Sequence, residues 1–196
     1  TLSDIEKICQ SAIEIGQNGV EFADFIKLMA FSGARWSESL RLKWSDVNFE
    51  LRQLTIGSDG LAKNHLAREV DFNSNLESHL KEMAQRRAPD SEYLFPSPRR
   101  GSEDLHATTF NMTLRKVRTH AGLPSFTCHL CRHFFISFCV MSGIDYMTIG
   151  RWVGHQDGGV LIGRVYGHLS NEHAQRQAQK VVFGPSVLEA KEIGAE

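Results

Sequence analysis

No apolar run in this sequence approaches the ~20 residues that a membrane-spanning helix needs. Its first residues show no basic stretch leading into an apolar one, so nothing there marks export, and a cytoplasmic location is expected. Cysteine is sparse. Of Cys9, Cys128, Cys131 and Cys139, three crowd onto one expected helix, which argues against a disulfide framework and for reduced, buried thiols. Cys128, His129, Cys131 and His133 superficially suggest zinc, but no second cysteine pair on another element exists to close a tetrahedron. Net charge is also nearly absent, at -1, so the chain as a whole does not advertise a polyanionic partner. Internal repeats and low-complexity tracts are missing too.

What is there suits one large globular domain, since 196 residues with 41% hydrophobic and 23% charged can bury a real core. Charge is unevenly placed. Residues 1 to 24 carry Asp4, Glu6, Glu14, Glu21 and Asp24 against Lys7, whereas residues 99 to 168 carry eight bases against four acids. That local excess of four makes a basic face available despite the neutral total.

The periodicity predicts a mainly α protein with a small antiparallel β-sheet. Ser3 and Glu6 have capping-box spacing ahead of Ile5, Ile8, Cys9 and Ala12, and a second helix carries Phe22, Phe25, Ile26 and Met29 as far as Gly33. A turn from Gly33 then runs into a short helix. Leu54–Ile56 and Arg68–Phe72 read as strands joined through residues 57 to 67. Helices are expected over 75–87, 108–121, from His129, around Ile149–Val153, over 160–165 and over 171–182. On the helix from His129, Leu130, Phe134, Phe138 and Met141 fall on one face and predict the buried stripe. His129, Arg132 and His133 stand at i, i+3 and i+4 on another face, a cation and two imidazoles suited to an anion.

Two arginines, a lysine, several histidines and a tyrosine lie on separate elements, and such a set has one coherent use. Arg35 and Arg132 can clamp a phosphodiester and stabilise the charge of a pentacovalent transition state. Tyr166 can serve as nucleophile, and Lys63 can protonate the leaving oxygen with a histidine assisting. Glu38, three residues after Arg35, can hold that arginine in place. Nothing resembles a carboxylate cage for Mg²⁺.

Four boxes together resemble the catalytic domain of the tyrosine recombinases, the phage integrase family. Gly33-Ala34-Arg35-Trp36-Ser37-Glu38 with Leu42-Lys43-Trp44-Ser45-Asp46 is similar to the family's first arginine box. Lys63 through Arg68-Glu69-Val70 resembles its β-hairpin lysine, and His129-x-x-Arg132-His133 matches its H-x-x-R-H signature. Gly154-His155 followed by Tyr166-Gly167-His168 resembles its last box, though the 11-residue separation of His155 and Tyr166 is about two longer than expected. The Gly158-Gly159 pair can absorb those residues, and Trp36 is bulkier than the expected aliphatic.

The resemblance implies a DNA breaking-rejoining core over residues 1 to 182, without the family's N-terminal core-binding domain. It implies that Arg35 and Arg132 bind the scissile phosphate, that His129 and His155 handle hydrogen bonds and protons, that Lys63 is the general acid and that Tyr166 attacks. Glu38 and His133 are implied as supporting residues. The product is a 3′-phosphotyrosyl link with a free 5′-hydroxyl, made without metal or nucleotide, and double-stranded DNA is the partner. Arg99, Arg100, Arg115, Lys116 and Arg118 are the expected phosphate contacts. The isolated chain is expected to be a monomer that acts as one of four protomers on DNA, with residues 183 to 196 docking in trans. The alternatives are a type IB topoisomerase-like nicking-closing enzyme and a non-catalytic DNA-binding relative.

Overall fold

A computed structural model describes residues 1–16, 18–61, 66–97 and 105–170, with 178, 179 and 181. Lys63, Arg99, Arg100, the tail 183–196 and most of the helix read over 171–182 lie outside the described residues.

Helix α1 (Leu2–Ile15) starts earlier than Ser3 and Glu6 suggest. Thr1 Oγ1 accepts from the Asp4 amide at 3.2 Å and the Asp4 carboxylate accepts from Thr1 at 2.8 Å, so the capping pair is Thr1 and Asp4. Its apolar face, Ile5, Ile8, Cys9 and Ala12, packs on α2 (Gly19–Ser32). Helix α2 is apolar almost all round and buries Phe22, Phe25, Ile26, Leu28 and Met29, which makes it the central rod. Gly33 ends it with φ 68°. A Cβ there would stand 2.5 Å from the Phe135 ring, so glycine serves both the left-handed turn and the close approach of the helix His129–Met141.

Helix α3 (Trp36–Leu40) leads through a 3₁₀ turn to a three-stranded antiparallel sheet in the order β1 (Val47–Asn48), β2 (Gln53–Ile56), β3 (Arg68–Asp71). Leu54 pairs with Val70, and both are buried. The sequence reading has only the two longer strands; β1 is two residues long and carries no period to read. Asn73 caps α4 (Ser74–Arg86), its Oδ1 accepting from the Leu76 amide at 2.9 Å. Helices α5 (Asn111–Ala121), α6 (His129–Met141), α7 (Tyr146–Val153) and α8 (Val160–Tyr166) complete the order.

The stripe expected on α6 is corrected. Leu130, Phe138 and Met141 are exposed, while Cys131, Arg132, Phe135, Ile136, Cys139 and Val140 are buried. The helix is apolar on both sides, and packing against α2 and α7 selects the side that carries Arg132. The interior forms two clusters. One is built on α1, α2, α4, α5 and the sheet; the other joins Phe135, Ile136, Cys139 and Val140 of α6 to Ile149, Val153, Ile162 and Tyr166. The residues discussed next sit at the seam between them.

Candidate active site

Arg35 is the N-cap of α3, and Glu38 is three residues into the helix. The Glu38 carboxylate folds back to accept from the Arg35 amide at 2.8 Å and from Arg35 Nη1 at 2.9 Å. It also accepts a bidentate fork from Arg68, Nη1 at 3.0 Å and Nη2 at 2.7 Å. Burial by itself would raise the Glu38 pKa, but the bonds and charge of Arg68, then those of Arg35, pull it from 4.5 to about 2. Glu38 is therefore a fixed anion.

Arg68 is the residue that the sequence reading missed as part of this cluster. It sits on β3 two places before buried Val70, so the strand's alternation turns it inward. Its Nε donates to the Trp152 carbonyl at 2.7 Å. A single side chain thus joins Glu38 to the end of α7, where Gly154 and His155 follow. Trp152 Nε1 adds a second tie between β3 and α7 by donating to Asp71 at 2.9 Å.

Arg132 comes from α6, and only 4% of it is exposed. Its Nη1 donates to the Gly33 carbonyl at 2.7 Å and its Nη2 to the Val153 carbonyl at 2.6 Å. Burial, and then the nearby Arg35 and Arg68 charges, lower its pKa to about 9. It stays cationic near neutral pH. Arg35, His129 and Arg132 line one cleft of ≈ 300 Å³ with Met29, Ala34, Trp36 and Ser37. Three guanidinium groups against Glu38 leave this region with a surplus of positive charge.

His155 is half-buried, and its pKa falls through burial, then through Arg132, with Arg35 and Arg68 adding to the fall and Asp157 opposing it. Its Nδ1 is buried and finds no hydrogen-bond partner among the described residues. His129 and His133 are exposed, and their rings meet edge to face at 4.6 Å. The i, i+3, i+4 grouping therefore divides: the histidines share an edge of α6 while Arg132 turns into the interior. Cys128 and Cys131 are buried with raised thiol pKa values, and His129 and His133 face out, so these four do not converge. Among the described residues no His, Cys, Asp or Glu group is placed to hold a metal ion.

Tyr166 is the last residue of α8 and is 8% exposed. Its hydroxyl is in hydrogen-bond contact with His133 Nδ1. Burial raises its pKa, and the Arg132 charge opposes that rise. The turn before α8 fixes where the tyrosine falls. Asp157 accepts from the amides of Gly159 at 3.0 Å and Leu161 at 2.8 Å. Gly159 has φ 90°, and a Cβ on it would come 2.3 Å from the Tyr146 carbonyl oxygen. The Gly158-Gly159 pair is thus where α7 and α8 approach. Arg115 and Lys116 are exposed on α5, and Arg118 is half-buried there, outside this cluster.

The model of the phage integrase family matches residues 1–173. The chain is 32% identical over 163 residues to the tyrosine recombinase XerA of Thermococcus onnurineus (strain NA1), a match covering 83% of this chain and 56% of that protein. It is 30% identical over 159 residues to the TnP I resolvase of Bacillus thuringiensis, covering 79% and 52%. The chain therefore spans a little over half the length of these relatives. Among solved structures, the integrase of transposon Tn1549 in complex with circular intermediate DNA superposes with a TM-score of 0.68 at 18% identity, over 93% of this chain and 66% of that one. The catalytic domain of bacteriophage HP1 integrase gives 0.62 at 19% identity over 90% of each. At these identities the likeness is one of fold.

Proposed function

The chain belongs to the phage integrase family, and from that premise we propose that it acts in site-specific recombination, cleaving and rejoining duplex DNA through a 3′-phosphotyrosine link. The observation that carries this reading is the surplus of cation around buried Glu38. Arg35, Arg68 and Arg132 bring three positive charges to one carboxylate, and a scissile phosphate is the anion that balances them.

In this reading Arg35 and Arg132 grip the non-bridging oxygens, and Arg68 is a positioning residue that acts through Glu38. His155, whose Nδ1 lacks a partner among the described residues, donates to the phosphate once its ring is turned to it. Tyr166 attacks phosphorus, and Lys63, which falls between β2 and β3 in the sequence, protonates the departing 5′ oxygen. Residues 1–182 form the catalytic domain, and Arg99, Arg100, Arg115, Lys116 and Arg118 follow the DNA backbone. Four protomers assemble on the DNA, with residues 183–196 docking from one onto the next.

The test is covalent trapping. Wild-type chain incubated with duplexes that lose the 5′ strand on cleavage is expected to yield a denaturation-resistant adduct, and Tyr166→Phe none. An adduct that persists in Tyr166→Phe assigns the nucleophile elsewhere, with Tyr146, whose ring packs by Gly163 on α8, next to be tested.

A further inference from the structure

The hydroxyl that the proposed reaction must deprotonate meets a histidine among the described residues, and it is neither His129 nor His155, the two to which the family resemblance gives proton handling. Tyr166 Oη meets Nδ1 of His133, 33 residues earlier in the chain, while the His129 ring packs edge to face on the His133 ring with centroids 4.6 Å apart. The two partners differ in access. Tyr166 is 8% exposed, so its proton has little direct route to water, whereas His133 is an exposed residue at the edge of α6. The geometry points to His133 as a further catalytic residue, the general base that takes the proton from Tyr166 during strand cleavage.

This rests on the recombinase reading above and assigns a step within it. The Tyr166 Oη–H bond breaks and its proton passes to His133 Nδ1. The freed electron pair forms the Oη–P bond, the P–O5′ bond breaks with its pair on the 5′ oxygen, and that oxygen takes a proton from Lys63. In the return reaction the His133 imidazolium gives the proton back to the tyrosine. A base needs to be neutral beforehand. Partial burial of the ring, then His129 and Arg132 beside it, lower the His133 pKa below 6.5, so the ring is free to accept at pH 7. Among the described residues, the charged and titratable groups about it are these two on α6, Tyr166 on α8, and the Thr1 amine with Asp4, which pair with each other at the start of α1 and line a pocket with His133.

Two measurements test the assignment. In the free protein, side-chain ¹⁵N NMR is expected to find neutral His133 protonated on Nε2, with a titration that shifts in Tyr166→Phe. A His133 protonated on Nδ1, or one indifferent to Tyr166→Phe, overturns the proposal. For the reaction, the probe is a pool of randomised duplexes bearing a 5′-bridging phosphorothiolate, whose thiolate leaves without needing an acid. Any loss of rate then belongs to the nucleophile. His133→Ala is expected to form adduct roughly 10²-fold more slowly at pH 7, to gain rate as pH rises, and to recover with added imidazole, which the exposed position admits. His133→Gln, which can accept a hydrogen bond but cannot keep the proton, is expected to be as slow. A His133→Ala rate within threefold of wild type, a faster one, or full activity in His133→Gln overturns the base role and leaves the recombinase reading standing. Absence of adduct from the wild-type chain overturns both.

Discussion

Asp24 on α2 and Glu38 on α3 are both buried carboxylates gripped by arginine, and the charge around them is counted differently. Asp24 takes a bidentate pair from Arg86, at 3.0 and 3.1 Å, and the His79 ring bonds its main-chain carbonyl at 3.0 Å. Burial lowers the His79 pKa, with Asp24 opposing, so the imidazole is neutral and charge closes one to one. This cluster ties α2 to α4, and the further charges acting on it, Lys27 against Glu82 and Glu21, add no surplus of cation. Glu38 collects Arg35 and Arg68, and Arg132 lies near enough to be felt by both arginines and by Glu38 itself. Desolvated like charges of that kind are costly, and burying them is reasonable only where an anion arrives to balance them. In the reading proposed above, the balanced pair belongs to the framework and the unbalanced one is the place that the scissile phosphate fills.

Substituting an arginine on each side breaks the comparison most directly. Arg35→Ala is expected to slow covalent adduct formation by about 10²–10³-fold, about 3–4 kcal/mol of barrier. Its thermal midpoint is expected to stay close to wild type, because Arg68 still holds Glu38. A large drop in midpoint with an unchanged rate per folded molecule would put Arg35 in the framework instead.

Acid sharpens the contrast. The Glu38 pKa is lowered in the fold from 4.5 to about 2, so its stabilisation is complete above about pH 4.5 and is lost as pH falls towards 2. The full span is worth about 3 kcal/mol. Urea midpoints measured at pH 5 and pH 2.5 are expected to fall further for wild type than for Glu38→Gln, and equal falls would remove Glu38 as the acid-sensitive group.

The smallest effect is expected on the balanced side. Arg86→Ala strands the Asp24 carboxylate, but the Arg86 side chain is 47% exposed, so water screens the pair and the loss is about 2 kcal/mol of stability. Adduct formation per folded molecule is expected to be unchanged. A rate that falls with it would mean that the two carboxylates are coupled through α2.

These differences follow the reach of each interaction along the chain. Arg35 and Glu38 were legible because they are three residues apart and the helix brings them together by its own geometry. Arg68 was legible in hindsight: alternation with Val70 on a four-residue strand turns a cation inward, and an inward cation needs a carboxylate. The buried face of α6 was not legible. Leu130, Phe134, Phe138 and Met141 make as good a stripe as Cys131, Phe135 and Cys139, and the approach of α2 past Gly33, with α7 on the same side, decides between them. The contact of His133 with Tyr166 was beyond local reasoning too, since it depends on where Asp157 and Gly159 start α8. Most helices were placed to within a few residues because each carries its own period, whereas β1 has only two residues and none.

Arg132 is fastened to two main-chain oxygens, those of Gly33 and Val153, and a peptide carbonyl is the same atom whatever side chain its residue bears. Lineages can therefore exchange the side chains that line α2 and α7 without displacing this cation. A guanidinium presents its five N–H donors in a rigid fork, so two of them reach the two carbonyls at once, and lysine, a point charge on a flexible stem, cannot span both in that way. Drift is constrained instead at the level of backbone path. A side chain at Gly33, or an insertion in the turn after Val153, moves an anchor, and the position most tolerant of its neighbours' identities is the least tolerant of a change in chain length.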